Sequence, residues 1–332
     1  MILHPGILSL LVSSLLVGGM VLYASFCGID ILRGWDISSG SERQLMLERK
    51  TYLVSTILGY LLFFQLISLF LFIYTADDIC PLFTGAMCAV GSLTVNSFGY
   101  PVLLCKMATF ILAGLWLILN YADSQGYDYP LVRTKYIFLL ILAPLVVAEA
   151  VMQWLYFLGL RPDVITSCCG SLFSSESSGV AAEIASLPAF PMMAVFYVVM
   201  ALTLVSGVLF YRTGKGGRLF PILSGIAFVV SVLSIISFIS LYFYELPTHH
   251  CPFCILQKEY GYVGYPLYIS LLLGAVTGLG CGMLGPFRKI ASLSETLPAL
   301  RKKLALVSIL SYLLFTVIAS WPILFSSFTM RI

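Results

Sequence analysis

The sequence predicts an all-α protein that crosses a membrane many times. Of its 332 residues, 60% are hydrophobic and 10% are charged, and the mean hydropathy is +1.01. Soluble domains carry roughly 25% charged residues, so this chain has too few to coat a surface exposed to water. Apolar runs of roughly 20–25 residues recur, each long enough to cross the bilayer as a helix. The composition therefore indicates a polytopic helix bundle in a lipid bilayer.

Eight apolar runs make up the predicted bundle, which we treat as one integral membrane domain over residues 1–332. The predicted spans are about 7–32, 52–75, 100–121, 136–160, 190–212, 220–244, 264–284 and 304–326. No Lys or Arg precedes the first run, and it is too long for a signal peptide, so we expect it to remain as a helix.

The basic residues predict which helix ends face the cytoplasm, where Lys and Arg collect. One set of loops holds 14 of the 18 basic residues, namely Arg33, Arg43, Arg49, Lys50, Arg133, Lys135, Arg212, Lys215, Arg218, Arg288, Lys289, Arg301, Lys302 and Lys303. The opposite set, with the C-terminal tail, holds Arg161, Lys258 and Arg331, and Lys106 lies within a span. This bias predicts both termini outside, in a cell membrane such as a bacterial inner membrane. The net charge of +3 needs no nucleic acid to explain it.

Six of the nine cysteines fall in loops on the predicted outer side. They form the pairs Cys80/Cys88, Cys168/Cys169 and Cys251/Cys254. Disulfides form and persist outside the cytoplasm. The other three, Cys27, Cys105 and Cys281, lie in or near spans, where a thiol behaves as a small apolar group. The distribution therefore favours thiol chemistry on the outer face.

The most informative motif runs from His249 to Lys258 with the sequence HHCPFCILQK. A Cys-x-x-Cys pair closes a small, exchangeable disulfide and often has one thiol of lowered pKa. If a helix begins near Pro252, Cys254 and Lys258 lie one turn apart on the same face. Lys258 would then stabilise a thiolate at Cys254, as would a protonated His250 beside Cys251.

The stretch CPFCILQK resembles the motif of the disulfide bond formation protein B family, which shares its layout with the vitamin K epoxide reductases. The resemblance implies a quinone-coupled thiol oxidase of the inner membrane that takes electrons from an extracytoplasmic thiol protein. It implies that Cys254 contacts the quinone and that Lys258 lies beside it, with Gln257 and His250 as further candidate quinone contacts. Electrons would enter at Cys80/Cys88 or Cys168/Cys169 and move by disulfide exchange to Cys251/Cys254.

The chain departs from that family at several points. Members have four helices, whereas eight are predicted here, and they carry Arg where this chain has Lys258. Helices two to five reproduce the family's order of cysteine-bearing loops, but with Cys80-x7-Cys88 in place of Cys-x-x-Cys.

The other cysteine pairs allow several interpretations. Cys168 and Cys169 could form a strained ring disulfide, pair with cysteines of other loops or chelate a soft metal ion. Cys80 and Cys88 could instead form a structural disulfide, which typically stabilises a fold by roughly 2–4 kcal/mol.

Two ionisable residues, Lys106 and Glu149, lie within predicted spans. Such residues are costly in a bilayer and usually functional. Glu149 could relay the protons that accompany quinone reduction. Alternatively, Lys106 and Glu149 form an ion pair between helices, or Lys106 extends to the headgroups.

Two outer loops end alike, in FGYP at Pro101 and in VGYP at Pro266. The helices that follow are the third and the seventh, which favours a parallel duplication of four plus four helices, with halves 1–165 and 185–332. The alternative is that Gly-Tyr-Pro simply suits a helix start at the membrane interface.

Two other functions compete with thiol oxidation. A soft-metal binding or transport protein would use Cys251, Cys254 and His249 or His250, with Cys168 or Cys169, to bind copper, zinc or mercury. A non-catalytic subunit would use disulfides only to staple its outer loops. Haem b is excluded as a bundle cofactor because the three histidines, His4, His249 and His250, all lie outside the spans.

Overall fold

The computed structural model describes residues 3–166, 180–326 and 328, and these residues form helices and turns without a β-strand. The α-helices of the described residues are α1 Pro5–Gly34, α2 Glu42–Asp78, α3 Ala89–Leu93, α4 Gly99–Ser124, α5 Val132–Leu158, α6 Val180–Ala185, α7 Ala189–Thr213, α8 Leu219–Ser234, α9 Ser240–Tyr244, α10 Gly264–Met283 and α11 Thr296–Phe325. A π-helical turn, Ile235–Ile239, joins α8 to α9.

The predicted all-α bundle and its spans are confirmed. In the described part of the chain, eight helical segments are long and apolar enough to cross a membrane, and the sixth runs without a break from Leu219 to Tyr244. Some helices extend past the apolar runs that predicted them: α2 begins at Glu42 and α11 at Thr296. Backbone hydrogen bonding continues into the polar flanks, which hydropathy cannot detect.

The outer faces of these helices are apolar. Large side chains such as Phe63, Phe64, Leu104 and Val198 are more than half exposed. Contiguous apolar surface on this scale is unfavourable in water and is covered by lipid tails in a membrane. The chain therefore has the fold of a multi-pass membrane protein.

The chain divides into two compact units. Unit 1 comprises Met1–Thr75, Asn96–Leu160 and Pro286–Leu300, and unit 2 comprises Ala76–Val95, Arg161–Gly285 and Arg301–Ile332. These boundaries differ from those of the proposed repeat halves, because the loop that carries Cys80 and Cys88 belongs to unit 2. Gly99 and Gly264 begin α4 and α10, as either interpretation of Gly-Tyr-Pro requires, so the duplication stays a prediction.

In unit 1, α5 packs against both α1 and α4. The core between them includes the fully buried side chains of Trp116 and Tyr136. A Cβ atom at Gly28 would collide with the Tyr136 ring, so this glycine allows α1 to approach α5 closely.

In unit 2, α7 and α10 pack against α8. Gly274 and Gly278 form a small-residue face on α10, an arrangement that lets membrane helices approach closely. A Cβ atom at Gly278 would collide with the side chains of Ser224 and Ser308. Ser308 Oγ donates a hydrogen bond to the Gly274 carbonyl oxygen at 2.8 Å. Unit 2 is therefore held by polar as well as apolar contacts.

Candidate functional site

Two loops of unit 2 bring three sulfur atoms together. The Sγ atoms of Cys88, Cys251 and Cys254 all lie within 4.8 Å of one another. The shortest separation is 3.8 Å, between Cys88 and Cys251. Cys88 and Cys251 are fully buried and Cys254 is 7% exposed. We call these three residues the cysteine cluster.

Cys88 enters the cluster from the N-terminus of α3. It is the N-cap residue of that short helix, and its carbonyl oxygen accepts a hydrogen bond from the Gly91 N–H at 2.9 Å. The Asp77 carboxylate accepts a hydrogen bond from the Ala89 N–H at 3.1 Å. Asp77, at the end of α2, therefore fixes the backbone next to Cys88.

Cys251 and Cys254 lie in a loop whose backbone is held by two tyrosines. Tyr244, the last residue of α9, donates its hydroxyl hydrogen to the Cys251 carbonyl oxygen at 2.6 Å and accepts the Ile255 N–H at 2.8 Å. The Tyr268 hydroxyl donates to the carbonyl oxygen of Pro252 at 2.5 Å. These bonds anchor both ends of the Cys-x-x-Cys segment. No sequence pattern indicates this role, since tyrosine is common at membrane interfaces.

Gln257 joins the two loops. Its side-chain amide donates to Asp77 Oδ1 and to the Met87 carbonyl oxygen, both at 3.0 Å. One glutamine thus holds residues on either side of Cys88 against the end of the Cys-x-x-Cys segment. Both of its amide hydrogens are used in this bridge, which leaves neither for the predicted quinone contact.

His249 is the histidine next to the cluster. Its Nε2 atom lies 3.4 Å from Cys254 Sγ, and its ring packs edge-on against Tyr244. Burial of the ring is the main cause that lowers the pKa of His249 below 6.5, while a negative charge at Cys88 acts in the opposite direction. The neutral imidazole offers an acceptor or ligand atom to the cluster.

His250 has a different environment from its neighbour. Its Nδ1 atom lies 2.9 Å from the carbonyl oxygen of Ile236, so Nδ1 carries the hydrogen and donates it. Ile236 belongs to the π-helical turn, a feature common at functional sites. His250 therefore anchors the loop to the end of the sixth span.

The predicted helix from Pro252 through Lys258 is wrong. A 3₁₀ turn, Cys254–Leu256, ends at Gln257, whose backbone is extended, and a second 3₁₀ turn, Lys258–Tyr260, follows. The relation of one helical turn between Cys254 and Lys258 is therefore lost. Lys258 is exposed at the surface of the loop.

Of the other cysteines in the predicted outer loops, Cys80 lies outside the cluster. Cys80 is buried in a 3₁₀ turn, Cys80–Leu82. Cys168 and Cys169 lie outside the described residues, but Thr166 donates its N–H to the carbonyl oxygen of Thr84 at 3.0 Å. Among the described residues, no two cysteine sulfurs approach the ~2.05 Å of a disulfide bond. The structure thus groups Cys88 with the Cys-x-x-Cys segment.

The two ionisable residues predicted within spans form a pair in unit 1. Lys106 Nζ lies 2.8 Å from Glu149 Oε1, and both side chains are 1% exposed. Lys106 also donates to Ser68 Oγ at 2.7 Å, and Gln65 donates to Glu149 Oε1 at 2.7 Å. The pair predicted as an alternative is confirmed, and the extension of Lys106 to the headgroups is wrong. A proton relay through Glu149 stays a prediction.

Unit 1 contains a second buried ion pair that the sequence analysis missed. Lys135 Nζ lies 2.7 Å from Asp123 Oδ2, and both side chains are buried. The Leu131 N–H donates to Asp123 Oδ1 at 2.8 Å, so the pair closes the turn between α4 and α5. A cavity of about 160 Å³ lies beside it, lined in part by Trp35 and Thr51. Lys135, counted among the basic loop residues in the orientation prediction, is therefore a buried member of an ion pair.

A scan against protein-family models, a search of curated proteins and a search of solved structures each found no match. The resemblance to the disulfide bond formation protein B family therefore rests on the motif around Cys251 and Cys254.

Proposed function

We propose that this protein is a membrane thiol–disulfide oxidoreductase that passes electrons from an extracytoplasmic thiol protein to a quinone. The 3.8 Å separation between Cys88 Sγ and Cys251 Sγ carries the proposal. A thiolate reaches a disulfide sulfur by in-line approach from about 3–3.5 Å. Cys88 comes from a different loop than Cys251, so electrons can pass between loops by a small movement.

The exchange proceeds in two balanced steps. The Cys88 thiolate attacks Sγ of Cys251 in a Cys251–Cys254 disulfide, which forms a Cys88–Cys251 disulfide and releases Cys254 as a thiolate. A second thiolate, from Cys80, Cys168 or Cys169, then attacks Cys88 and releases Cys251. The electron pair of the entering dithiol now resides on Cys251 and Cys254, and the entry pair is a disulfide.

His249 supports the chemistry of Cys254. Its Nε2 atom lies 3.4 Å from Cys254 Sγ, within reach of the thiol hydrogen. A neutral imidazole at this position accepts that proton when the thiol is oxidised and returns it when the thiolate is released. The sulfur with the histidine contact is the one that the family resemblance places at the quinone.

The residues on the loop surface fit a quinone only in part. Lys258 is exposed and presents an ammonium donor suited to a quinone oxygen. Gln257 does not fit, because both amide hydrogens bond to Asp77 and Met87. When bound, a quinone accepts two electrons and two protons, which balances the conversion of the Cys251 and Cys254 thiols to a disulfide.

The proposal includes the side of the membrane on which the cysteine cluster lies. The excess of Lys and Arg in one set of loops supports an extracytoplasmic position for the cysteine cluster, with a bacterial inner membrane as the setting. There the thiol partner would meet oxidising conditions, and the quinone would be supplied from the bilayer.

The test uses the full-length protein in detergent with EDTA, dithiothreitol as the dithiol, and decylubiquinone or menadione as the quinone. We expect protein-dependent quinol formation, with one disulfide of dithiothreitol formed for each quinol. Cys251→Ser and Cys254→Ser abolish this reaction, whereas Cys105→Ser, a thiol on α4, preserves it.

A trapping experiment tests the step at Cys88. In Cys254→Ser, Cys251 lacks its partner from the motif, so mild oxidation is expected to accumulate a Cys88–Cys251 disulfide that peptide mass spectrometry detects. Stable cysteines that neither exchange with dithiothreitol nor reduce quinone would contradict the proposal and favour the stapled, non-catalytic subunit.

A further inference from the structure

We infer that the reduced cysteine cluster, together with His249, is a zinc-class metal site with three sulfur ligands and one nitrogen ligand. The ligands are the Sγ atoms of Cys88, Cys251 and Cys254 and the Nε2 atom of His249. This site is independent of the proposed electron transfer, because binding a d¹⁰ ion requires no quinone and no thiol partner.

Two ligand-to-ligand distances match those of a tetrahedral site. With Zn–S bonds of about 2.3 Å, two sulfur ligands stand about 3.8 Å apart, and with a Zn–N bond of about 2.0–2.1 Å a sulfur and a nitrogen stand about 3.5 Å apart. The observed separations are 3.8 Å between Cys88 and Cys251 and 3.4 Å between His249 and Cys254. The three sulfurs all lie within 4.8 Å of one another. Movement of a sulfur by less than about 1 Å gives the three sulfurs their tetrahedral spacing. The Nε2 atom of His249 is not within 4.8 Å of all three sulfurs, so the His249 ring must also move to supply the fourth ligand.

The surroundings hold the ligands in place. Tyr244 fixes the backbone on both sides of the Cys-x-x-Cys segment, and the Asp77–Gln257 bridge fixes the backbone on both sides of Cys88. Outer hydrogen bonds of this kind orient metal ligands. The metal set weighed from the sequence included His250 as the alternative histidine. The geometry favours His249, whose Nε2 atom lies 3.4 Å from Cys254 Sγ, with Cys88 as the third sulfur.

The charge of the site favours a divalent ion. Three thiolates and a neutral imidazole carry three negative charges, and the cysteines are 0–7% exposed. Zn²⁺ leaves a net charge of −1, whereas Cu⁺ leaves −2, which costs more to bury. Sulfur and imidazole donors in a tetrahedron are also the ligands that structural Zn²⁺ sites use.

The site would exist in one redox state only. A Cys251–Cys254 disulfide removes two of the four ligands, so disulfide formation and metal binding exclude each other. Binding of Zn²⁺ releases the protons of the thiols, and no electrons are transferred.

The experiment titrates Zn²⁺ into the full-length protein after reduction with a phosphine and removal of metal by a chelator. We expect one Zn²⁺ per chain by elemental analysis, and an X-ray absorption spectrum that fits three sulfurs and one nitrogen. Co²⁺ in place of Zn²⁺ should give the visible absorption of a tetrahedral thiolate site. Oxidation to the disulfide should release the metal.

Variants assign the ligands. Cys88→Ser should lose at least roughly tenfold in Zn²⁺ affinity, as should His249→Ala. The thiol control Cys105→Ser should keep the affinity of the wild type. The proposal is overturned if the reduced wild type binds no Zn²⁺, if it binds Cu⁺ alone, or if Cys88→Ser keeps stoichiometric Zn²⁺ with unchanged absorption spectra. The quinone assay contains EDTA, so its result does not depend on bound Zn²⁺. A failure to bind Zn²⁺ and a failure to reduce quinone can therefore be told apart.

Discussion

The cysteine cluster of unit 2 and the Lys106–Glu149 pair of unit 1 are both buried polar groups in an apolar bundle, yet they are built differently. The ion pair lies within long helices, and its two charges neutralise each other. Gln65 donates a further hydrogen bond to Glu149, and Lys106 donates one to Ser68. The cysteine cluster lies in loops and consists of three thiols whose sulfur atoms face one another, with His249 beside Cys254. Hydrogen bonds such as that from the Tyr244 hydroxyl to the Cys251 carbonyl oxygen fix the backbone of the cluster.

The two groups of buried polar side chains therefore have different effects, one on stability and the other on reactivity. A charged pair inside a helix bundle contributes to stability only as a pair, and removal of one member leaves an unpaired buried charge. An uncharged thiol behaves as a small apolar side chain, so burying a cluster of thiols costs little free energy. The buried thiols can still react. Mutations should therefore affect stability in unit 1 and reactivity in unit 2.

The largest loss of stability should follow from breaking the ion pair on one side. Lys106→Met leaves the Glu149 carboxylate buried beside Gln65 with its counter-charge removed. We expect a decrease in the free energy of unfolding of about 3–5 kcal/mol, measured by thermal or denaturant unfolding in detergent. The double variant Lys106→Met/Glu149→Leu should recover much of this loss. An equal loss in the double variant would contradict the pairing.

Removal of one hydroxyl at the cluster should have a smaller effect on stability and a clear effect on the thiols. Tyr244→Phe leaves the Ile255 N–H without its acceptor and the Cys251 carbonyl oxygen without its donor. We expect a destabilisation of about 1–3 kcal/mol, with faster alkylation of Cys251 and Cys254 by a maleimide. Tyr262→Phe is the matched control, because Tyr262 is 47% exposed. Unchanged alkylation in Tyr244→Phe would show that this hydroxyl does not hold the loop.

Removal of the Gln257 bridge should destabilise the protein less than removal of the Tyr244 hydroxyl. Gln257→Met removes the hydrogen bonds to Asp77 and Met87, and water can replace them because Gln257 is only partly buried. We expect a destabilisation of about 0.5–1.5 kcal/mol and slower formation of the Cys88–Cys251 disulfide in the Cys254→Ser background. The exposed Gln125→Met, at the end of α4, should change neither quantity.

The sequence could predict the bundle but not the composition of the cluster. Long apolar runs determine eight spans because a helix is the only way to satisfy their backbone groups in lipid. The contact between Cys88 and Cys251 joins residues 163 positions apart, and no local pattern reports such a contact. The helix expected through Lys258 failed because Gln257 bonds to another loop and adopts an extended backbone.

The smallest structural effect is expected at Lys258, which tests the part of the site that the family resemblance supplied. Lys258 is exposed, so Lys258→Met should change the free energy of unfolding by no more than about 0.5 kcal/mol. If its ammonium group binds a quinone oxygen, the same change raises the KM for decylubiquinone, whereas Lys258→Arg, which restores the residue typical of that family, keeps it. Zn²⁺ affinity should stay constant in both variants, since Lys258 is not a ligand. A normal KM in Lys258→Met would place the quinone against other residues and leave the thiol exchange at Cys88 and Cys251 untouched.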